Sequence, residues 1–252
     1  MSAEPAAKTP WEFRLRAVFI GIAFGLGFFL GYPLQAALFH GDVDPTFVVL
    51  GRLFGESGIT VAGWIAAAVA ASAWLVRMWG SSYHSPGVVM SGDVVTNAFT
   101  AAGPYRYVRN PLYLGNIFLA ISIGSLGPPI ATVLVIAFNV WFVYRLIAIE
   151  ERFLRDANGP AYERYCAVVP RLLPRLTPAP LPEDKRKPNL AYGFLTELFS
   201  FGFAAAMVYV AIVAPQGGGR NVGFAFWGIA LLAVAMQMLL APAARRVGGE
   251  RS

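Results

Sequence analysis

Long stretches of this 252-residue sequence contain no charged residue, and this feature constrains the fold more than any other. Residues 17–39 and 57–76 are two such stretches, and residues 110–144 form an uncharged run that is too long for one span. A helix needs about 20 apolar residues to cross the hydrocarbon core of a bilayer. Only 13% of the residues are charged, against about 25% in soluble domains. The sequence therefore disfavours a soluble enzyme and predicts an integral membrane protein.

The uncharged runs predict an all-α polytopic fold with about six transmembrane helices. Proline interrupts a helix, so the run 110–144 is expected to divide at residues 127–129 into a hairpin of two short antiparallel helices. The predicted helices cover residues 17–39, 57–76, 111–126, 130–149, 198–214 and 221–244. The first of them contains two small-xxx-small pairs that predict close helix packing, Gly21 with Gly25 and Gly27 with Gly31.

Positive charge is distributed unevenly between the predicted loops. If the N-terminus is cytoplasmic, all of the 20 Lys and Arg residues except Arg52 and Arg220 fall on the cytoplasmic side. This bias is the positive-inside pattern of membrane proteins, and it explains the net charge of +6 without a nucleic-acid partner. We therefore expect a multi-pass protein of a bacterial inner membrane with both termini in the cytoplasm. Two polar segments, 80–110 and 150–190, also fall on that side.

The densest polar and aromatic patch of the sequence runs from residue 103 to residue 115. Asn110 followed by Pro111 predicts the start of a helix, whose free amides and nearby arginines favour an anion. Three tyrosines offer faces to a flat ring or a cation: Tyr105, Tyr107 and Tyr113. A collar of arginines and tyrosines at the membrane surface explains the same residues, and the residues alone leave both interpretations open.

Two adjacent acids, Glu150 and Glu151, follow the predicted hairpin. If the helix continues, Glu151 pairs with Arg155 at i,i+4, whereas Glu150 has no such partner. An unpaired acid near the membrane interior is a functional candidate. Farther along, Tyr162 and Tyr165 are expected on a short surface helix, for which an interfacial amphipathic role is the alternative.

These segments together resemble the isoprenylcysteine carboxyl methyltransferase and phospholipid methyltransferase family over residues 80–176. The shared order is GPYRYVRNPLYLG, a helical hairpin, EERFL, a tyrosine-bearing helix and VPRLLPRL. Members of this family are integral membrane enzymes that use S-adenosylmethionine. The resemblance divides the chain into two N-terminal helices (1–79), a methyltransferase core (80–176), a cytoplasmic linker (177–190) and two additional C-terminal helices (191–252).

The resemblance implies that S-adenosylmethionine binds between the start of the third helix and the exit of the hairpin. Asn110 stands where the family often has His in an Arg-His-Pro-x-Tyr-x-Gly stretch, and Asn cannot titrate near neutral pH. The implied catalytic residues are Arg109 and Glu150. The implied cofactor-binding residues are Tyr105, Tyr107, Arg109, Asn110, Pro111, Tyr113, Gly115, Glu150, Glu151, Tyr162, Tyr165 and Arg171.

The acceptor implied by the resemblance is a lipid or a lipophilic small molecule that enters laterally from the bilayer. Methylation of the amine of phosphatidylethanolamine is one alternative, and a non-catalytic transporter or binding protein on the same scaffold is another. We expect no metal, because the two histidines, His40 and His84, lie far apart in the sequence. The acceptor atom and the oligomeric state are left open by the sequence.

Overall fold

The computed structural model describes residues 11–55, 57–84, 99–182, 184, 186–216 and 219–249. All regular secondary structure in these ranges is helical. The α-helices are α1 (Trp11–Arg14), α2 (Arg16–Leu38), α3 (Thr46–Arg52), α4 (Gly58–Ser81), α5 (Pro111–Gly124), α6 (Pro129–Val168), α7 (Leu190–Thr196), α8 (Leu198–Val213) and α9 (Gly219–Gly248). Two short 3₁₀ helices cover Gly103–Arg106 and Ala214–Gln216. The predicted positions 85–98, Lys8 and Arg251 lie outside the described residues.

Five helices in the described ranges are long and apolar enough to cross a membrane, and they confirm the predicted all-α polytopic membrane fold. These are Arg16–Leu38, Gly58–Ser81, Pro129–Val168, Leu198–Gln216 and Gly223–Gly248. The remaining predicted span, residues 111–126, corresponds to α5, which has only 14 residues. Its length of about 21 Å is less than the roughly 30 Å of a hydrocarbon core. It is a short apolar helix that packs against α4, α6 and α8.

The predicted hairpin is present as α5 and α6, which are joined at residues 125–128. Pro111 and Pro129 each occupy the first turn of their helix, where a missing N–H costs no helical hydrogen bond. The hydroxyl of Thr132 donates to the carbonyl of Gly124 at 2.7 Å and thereby satisfies one of the last acceptors of α5. The turn itself is tied to α3 because the backbone N–H of Thr46 donates to the carbonyl of Gly127 at 2.7 Å.

Helix α6 is much longer than predicted, because it continues through the charged residues to Val168. The expected end at residue 149 is wrong: charged side chains leave the helical hydrogen bonds intact, so they mark the membrane edge without ending the helix. The break comes instead at Gly159, whose φ of 49° and ψ of −130° suit glycine, and Pro160 follows it. The helix expected on the surface is therefore the last part of α6.

The two predicted polar segments meet at one end of the helical bundle. The backbone N–H of Arg109 donates to Pro170 at 2.9 Å, that of Arg175 to Tyr107 at 2.9 Å, and that of Ala179 to Arg106 at 2.8 Å. These bonds between chain segments some 60–75 residues apart form a polar layer over the start of α5 and the middle of α6. We call this end of the bundle, made by residues 99–110 and 169–182, the polar cap.

Candidate functional site

A buried carboxylate lies at the centre of the polar cap. Glu151 of α6 is only 1% exposed and forms salt bridges to three arginines. Arg171 is the nearest, with its Nη2 2.7 Å from Oε2 and its Nε 3.3 Å from Oε1. The Nε of Arg109 lies 3.6 Å from Oε1 of Glu151, and the Nη2 of Arg155 lies 3.6 Å from Oε2. The side-chain amide of Asn110 donates to Oε1 at 3.5 Å. We call these five residues the Glu151 cluster.

The Glu151 cluster joins three parts of the chain that are distant in sequence. Arg109 and Asn110 precede α5, Glu151 and Arg155 lie one turn apart on α6, and Arg171 follows the end of α6. Arg171 is 41% exposed, so the cluster reaches from the buried carboxylate to solvent. Its hydrogen bond to Glu151 raises the pKa of Arg171 above the ordinary value. With one acid and three guanidinium groups, the cluster has an excess of positive charge.

Asn110 occupies the N-cap position of α5 as predicted, but its side chain does not cap the helix. Its Nδ2 donates instead to the carbonyl of Arg171 at 3.1 Å and to Glu151. The predicted helix start is confirmed, and the amide of Asn110 is directed toward acceptors of another segment. Asn110 therefore links the start of α5 to the loop that carries Arg171.

Glu150 and Glu151 are adjacent in sequence but contact different parts of the fold. Glu150 is half-buried and is hydrogen-bonded to the hydroxyl of Tyr113 on α5, with Arg16 of α2 close enough to interact electrostatically. Arg109, the other residue that the resemblance implies as catalytic, pairs with Glu151 instead. Glu150 thus lies beside Tyr113 and Arg16, and Glu151 lies among the arginines of the polar cap.

An aromatic cluster borders the polar cap beside the Glu151 cluster. The rings of Phe99 and Tyr165 lie 5.0 Å apart, those of Phe99 and Tyr162 lie 5.2 Å apart, and the two tyrosine rings lie 5.8 Å apart. Both tyrosines are buried, so the predicted surface position is wrong: the polypeptide at Ala179 and Leu181 covers this part of α6. Phe99 was not predicted from the sequence, because it lies outside the motifs.

A histidine and a tyrosine form a hydrogen bond at the edge of the same cap. The hydroxyl of Tyr105 lies 2.5 Å from Nε2 of His84, and the carbonyl of Tyr105 accepts a bond of 2.8 Å from the hydroxyl of Tyr165. Burial and the nearby charge of Arg186 lower the pKa of His84 to about 4. Burial also raises the pKa of Tyr105 well above its ordinary value. The pair is therefore uncharged at neutral pH.

Several of the implied cofactor-binding residues pack against other parts of the fold. Tyr107 packs against Trp79, with the ring centroids 5.9 Å apart. Pro111 is buried in the first turn of α5, and Gly115 lies against the side chain of Arg77, which a Cβ at this position would overlap. Pro111 and Gly115 thus shape the start of α5, the helix that follows Asn110 and carries Tyr113.

Sequence reasoning missed a second buried ion pair, which joins Arg77 of α4 to Glu197 at the junction of α7 and α8. The Nε of Arg77 lies 2.6 Å from Oε2 of Glu197, and the two side chains are 8% and 0% exposed. A signal for it exists in the sequence, since Glu197 is the one charged residue between positions 188 and 219. An isolated charge in an apolar run usually has a buried partner.

A separate apolar cavity of about 460 Å³ lies near the turn between α5 and α6. It shares no residue with the Glu151 cluster or the aromatic cluster. Its lining consists of Gln35, Phe39, Asp42, Val49, Pro129, Ile130, Val133 and Leu134. Among the residues that the structure describes, no group of three or more His, Cys, Asp or Glu side chains is arranged to hold a metal ion.

Residues 58–160 match the family model of the phospholipid methyltransferases. The match covers about two fifths of the chain, and this segment is similar to that family. The match confirms the resemblance found in the sequence, although its limits differ from the expected 80–176. It begins at the start of α4 and ends at the break in α6, so that it includes Arg109, Asn110, Glu150 and Glu151. Tyr162, Tyr165 and Arg171 lie beyond it.

Two curated relatives match about half of the chain at low identity. The cobalt-zinc-cadmium resistance protein CzcN of Cupriavidus metallidurans is 28% identical over 137 residues, which are 52% of this chain and 61% of that protein. The nickel-cobalt-cadmium resistance protein NccN of Alcaligenes xylosoxydans xylosoxydans is 27% identical over 139 residues, which are 55% of this chain and 57% of that protein. The matched part thus spans about three fifths of each relative. No solved structure matches the chain.

Proposed function

We propose that this protein is an S-adenosylmethionine-dependent membrane methyltransferase whose cofactor binds at the polar cap, on the cytoplasmic side. Its proposed acceptor is a lipid or a lipophilic small molecule. The observation that carries the proposal is the Glu151 cluster, because four of its five residues lie within the segment that matches the phospholipid methyltransferases and because it contains a fully buried carboxylate among arginines. Buried charged groups of this kind are rare where they have no function.

The described residues fit the chemical groups of the cofactor. S-adenosylmethionine has a carboxylate, an ammonium group, a sulfonium and an adenine ring, and when bound it supplies an electrophilic methyl group. The buried Nε of Arg109 lies 3.6 Å from Oε1 of Glu151, too far for a hydrogen bond, and has no hydrogen-bond partner in the described part of the chain, so it can donate to the carboxylate. Glu151 suits the ammonium group, and the rings of Phe99, Tyr162 and Tyr165 suit adenine or the sulfonium.

Glu150 is proposed to act on the acceptor side of the site. Its carboxylate lies one residue from Glu151 but contacts Tyr113 of the apolar helix α5. An acceptor that arrives from the bilayer would meet Glu150 before the polar cap. There the carboxylate can orient an acceptor group or take up a proton from it, and Tyr113 holds the carboxylate in place.

The distribution of charge supports a cytoplasmic position for the polar cap. The cap contains the arginines at positions 106, 109, 171 and 175, and the positive-inside rule assigns such clusters to the cytoplasm. S-adenosylmethionine is a soluble, charged molecule, so its site requires access to an aqueous compartment. The exposed side of Arg171 provides the aqueous edge of the cluster.

Methyl transfer into lipid tests this proposal. We expect purified protein in vesicles of total bacterial lipid to transfer label from methyl-labelled S-adenosylmethionine into the lipid fraction. Glu151→Gln should reduce the rate at least tenfold, whereas Glu163→Gln, at an exposed position of the same helix, should not change it. A lipid fraction that stays unlabelled, with a well-folded wild type, would contradict the lipophilic acceptor.

Methylation of a phospholipid amine is the second candidate, and the description of the matching family favours it. Vesicles of phosphatidylethanolamine distinguish the two. Products that carry one to three additional methyl groups would support amine methylation. Label that enters only another lipophilic compound of the total lipid would exclude it and leave the first proposal standing.

A further inference from the structure

In the buried pair of Arg77 and Glu197, both side chains also form hydrogen bonds to further residues. Two nitrogens of Arg77 bind the carboxylate of Glu197, Nε at 2.6 Å and Nη2 at 3.1 Å. The hydroxyl of Ser81 donates to the same carboxylate at 2.7 Å, and that of Ser200 lies 3.3 Å from it. The planar guanidinium is therefore fixed in one orientation.

The remaining nitrogen of Arg77 holds the first two turns of α5. Its Nη1 donates to the carbonyl of Leu112 at 3.0 Å and to Oδ1 of Asn116 at 2.6 Å. Gly115 makes this approach possible, because any side chain there would overlap the aliphatic part of Arg77. These turns directly follow Asn110 and contain Tyr113, which contacts Glu150.

The acid that fixes Arg77 lies outside the segment matched by the family. Arg77, Leu112 and Asn116 belong to residues 58–160, whereas Glu197 lies between α7 and α8. Without Glu197, a buried guanidinium would lack its counter-ion, and such a group reorients or draws water into the protein. The position of α5 would then no longer be determined by Arg77.

We propose that Glu197 is a positioning residue for the cofactor site: it fixes Arg77, and Arg77 fixes the start of α5 with Asn110 and Tyr113. This inference rests on the proposed function. It assigns a role to the C-terminal region, which is otherwise an addition to the family core. The proposed site is incomplete without α7 and α8, although neither helix contributes a residue to the Glu151 cluster.

Three variants separate positioning from a general effect on stability. Glu197→Gln removes the counter-ion. The double variant Arg77→Met/Glu197→Met removes the whole pair and leaves no unpaired charge, so it is expected to regain most of the thermal stability. Gln35→Met is the matched control, because buried Gln35 accepts a bond of 3.2 Å from the backbone N–H of Ile130 and thus links α2 to the start of α6, at the opposite end of α5 from Arg77.

Two measurements on the full-length protein in detergent test the proposal: calorimetric binding of S-adenosylmethionine, and hydrogen exchange of the Leu114 amide, which donates to Asn110 in the first turn of α5. We expect Glu197→Gln and the double variant to weaken binding at least tenfold and to accelerate exchange at Leu114. Gln35→Met should change neither quantity. If the pair only stabilised the fold, a double variant that melts near the wild-type temperature would bind S-adenosylmethionine normally. Loss of affinity in such a variant therefore indicates positioning.

The proposal is overturned if the folded double variant binds and exchanges as the wild type does. If the wild type itself does not bind S-adenosylmethionine, the proposed function fails, and hydrogen exchange alone decides the positioning. In that case unchanged exchange at Leu114 in the double variant overturns the link from Glu197 to α5, and accelerated exchange supports it.

Discussion

His84 and Tyr105 form a hydrogen-bonded pair at the edge of the polar cap that responds to pH. Their hydrogen bond places the end of α4 against the 3₁₀ helix Gly103–Arg106, where Tyr105 also accepts a bond from Tyr165. Because burial and Arg186 hold the pKa of His84 near 4, against 6.5 for an unfolded chain, folding excludes a proton from the imidazole. Stability is therefore linked to pH through this residue.

We predict that the protein loses stability as the pH falls from 6.5 toward about 4. In this interval the unfolded chain binds a proton at His84 that the folded protein does not, so the free energy of unfolding decreases with falling pH. Above pH 6.5 the contribution is fully present. Melting temperatures in detergent across this range test the prediction, with His84→Gln as the control. A variant with the same pH dependence as the wild type would refute it.

The roles of Glu150 and Glu151 show what a sequence can and cannot establish at the scale of one residue. The i,i+4 spacing correctly predicts that Glu151 pairs with Arg155. Spacing of this kind predicts only partners on the same helix. The closest partner, Arg171, comes from a loop 20 positions later, and Tyr113 of α5 reaches Glu150. Both contacts are tertiary, so spacing could not identify which acid is fully buried.

At the scale of the element, α2 shows how two similar motifs differ in role. A Cβ at Gly31 would overlap Ala131 of α6, and one at Gly27 would come within 2.5–2.8 Å of Val135, so that this pair allows the two helices to touch. A Cβ at Gly25 would meet nothing within 4 Å. The predicted packing is thus confirmed for one pair and wrong for Gly21 and Gly25, because the two pairs lie on different faces of the helix.

We predict opposite effects for alanine at the two glycine pairs. Gly31→Ala should destabilise the protein by about 1–3 kcal/mol, because the added methyl forces α2 away from α6. Gly25→Ala should be neutral or should stabilise by about 0.5–1 kcal/mol, since alanine favours the helix and meets no neighbour. Thermal unfolding in a single detergent compares them directly. Equal melting temperatures for the two variants would contradict the observed contact between α2 and α6.

The sequence did not predict the full length of α6. Loss of hydrophobicity after residue 149 correctly indicates where the apolar part ends, but a helix ends only where its backbone hydrogen bonds are interrupted. Gly159 and Pro160 supply that interruption, and the chain resumes as a helix beyond them. Because α6 is continuous from residue 129 to the break at Gly159, Glu151 and Arg155 lie on one face of it. Tyr162 and Tyr165 follow the break.

At the scale of the whole molecule, composition and charge-free runs predict the membrane fold, and motif order predicts the family. They do not predict that residues 99–110 and 169–182 form one layer, because that layer is held by backbone bonds between distant segments. Nor do they reveal that the C-terminal region reaches the start of α5 through Glu197 and Arg77. Long-range contacts thus bring together residues of the proposed site that lie far apart in the sequence.

The measurement that tests the central claim most directly is calorimetric binding of S-adenosylmethionine to the purified protein. We predict saturable binding by the wild type, weakened at least tenfold in Glu151→Gln, about 1.4 kcal/mol, and unchanged in Glu163→Gln. Melting temperatures of all three proteins verify that each is folded. A folded wild type that does not bind S-adenosylmethionine, or a folded Glu151→Gln that binds it as tightly as the wild type, would contradict a cofactor site at the Glu151 cluster.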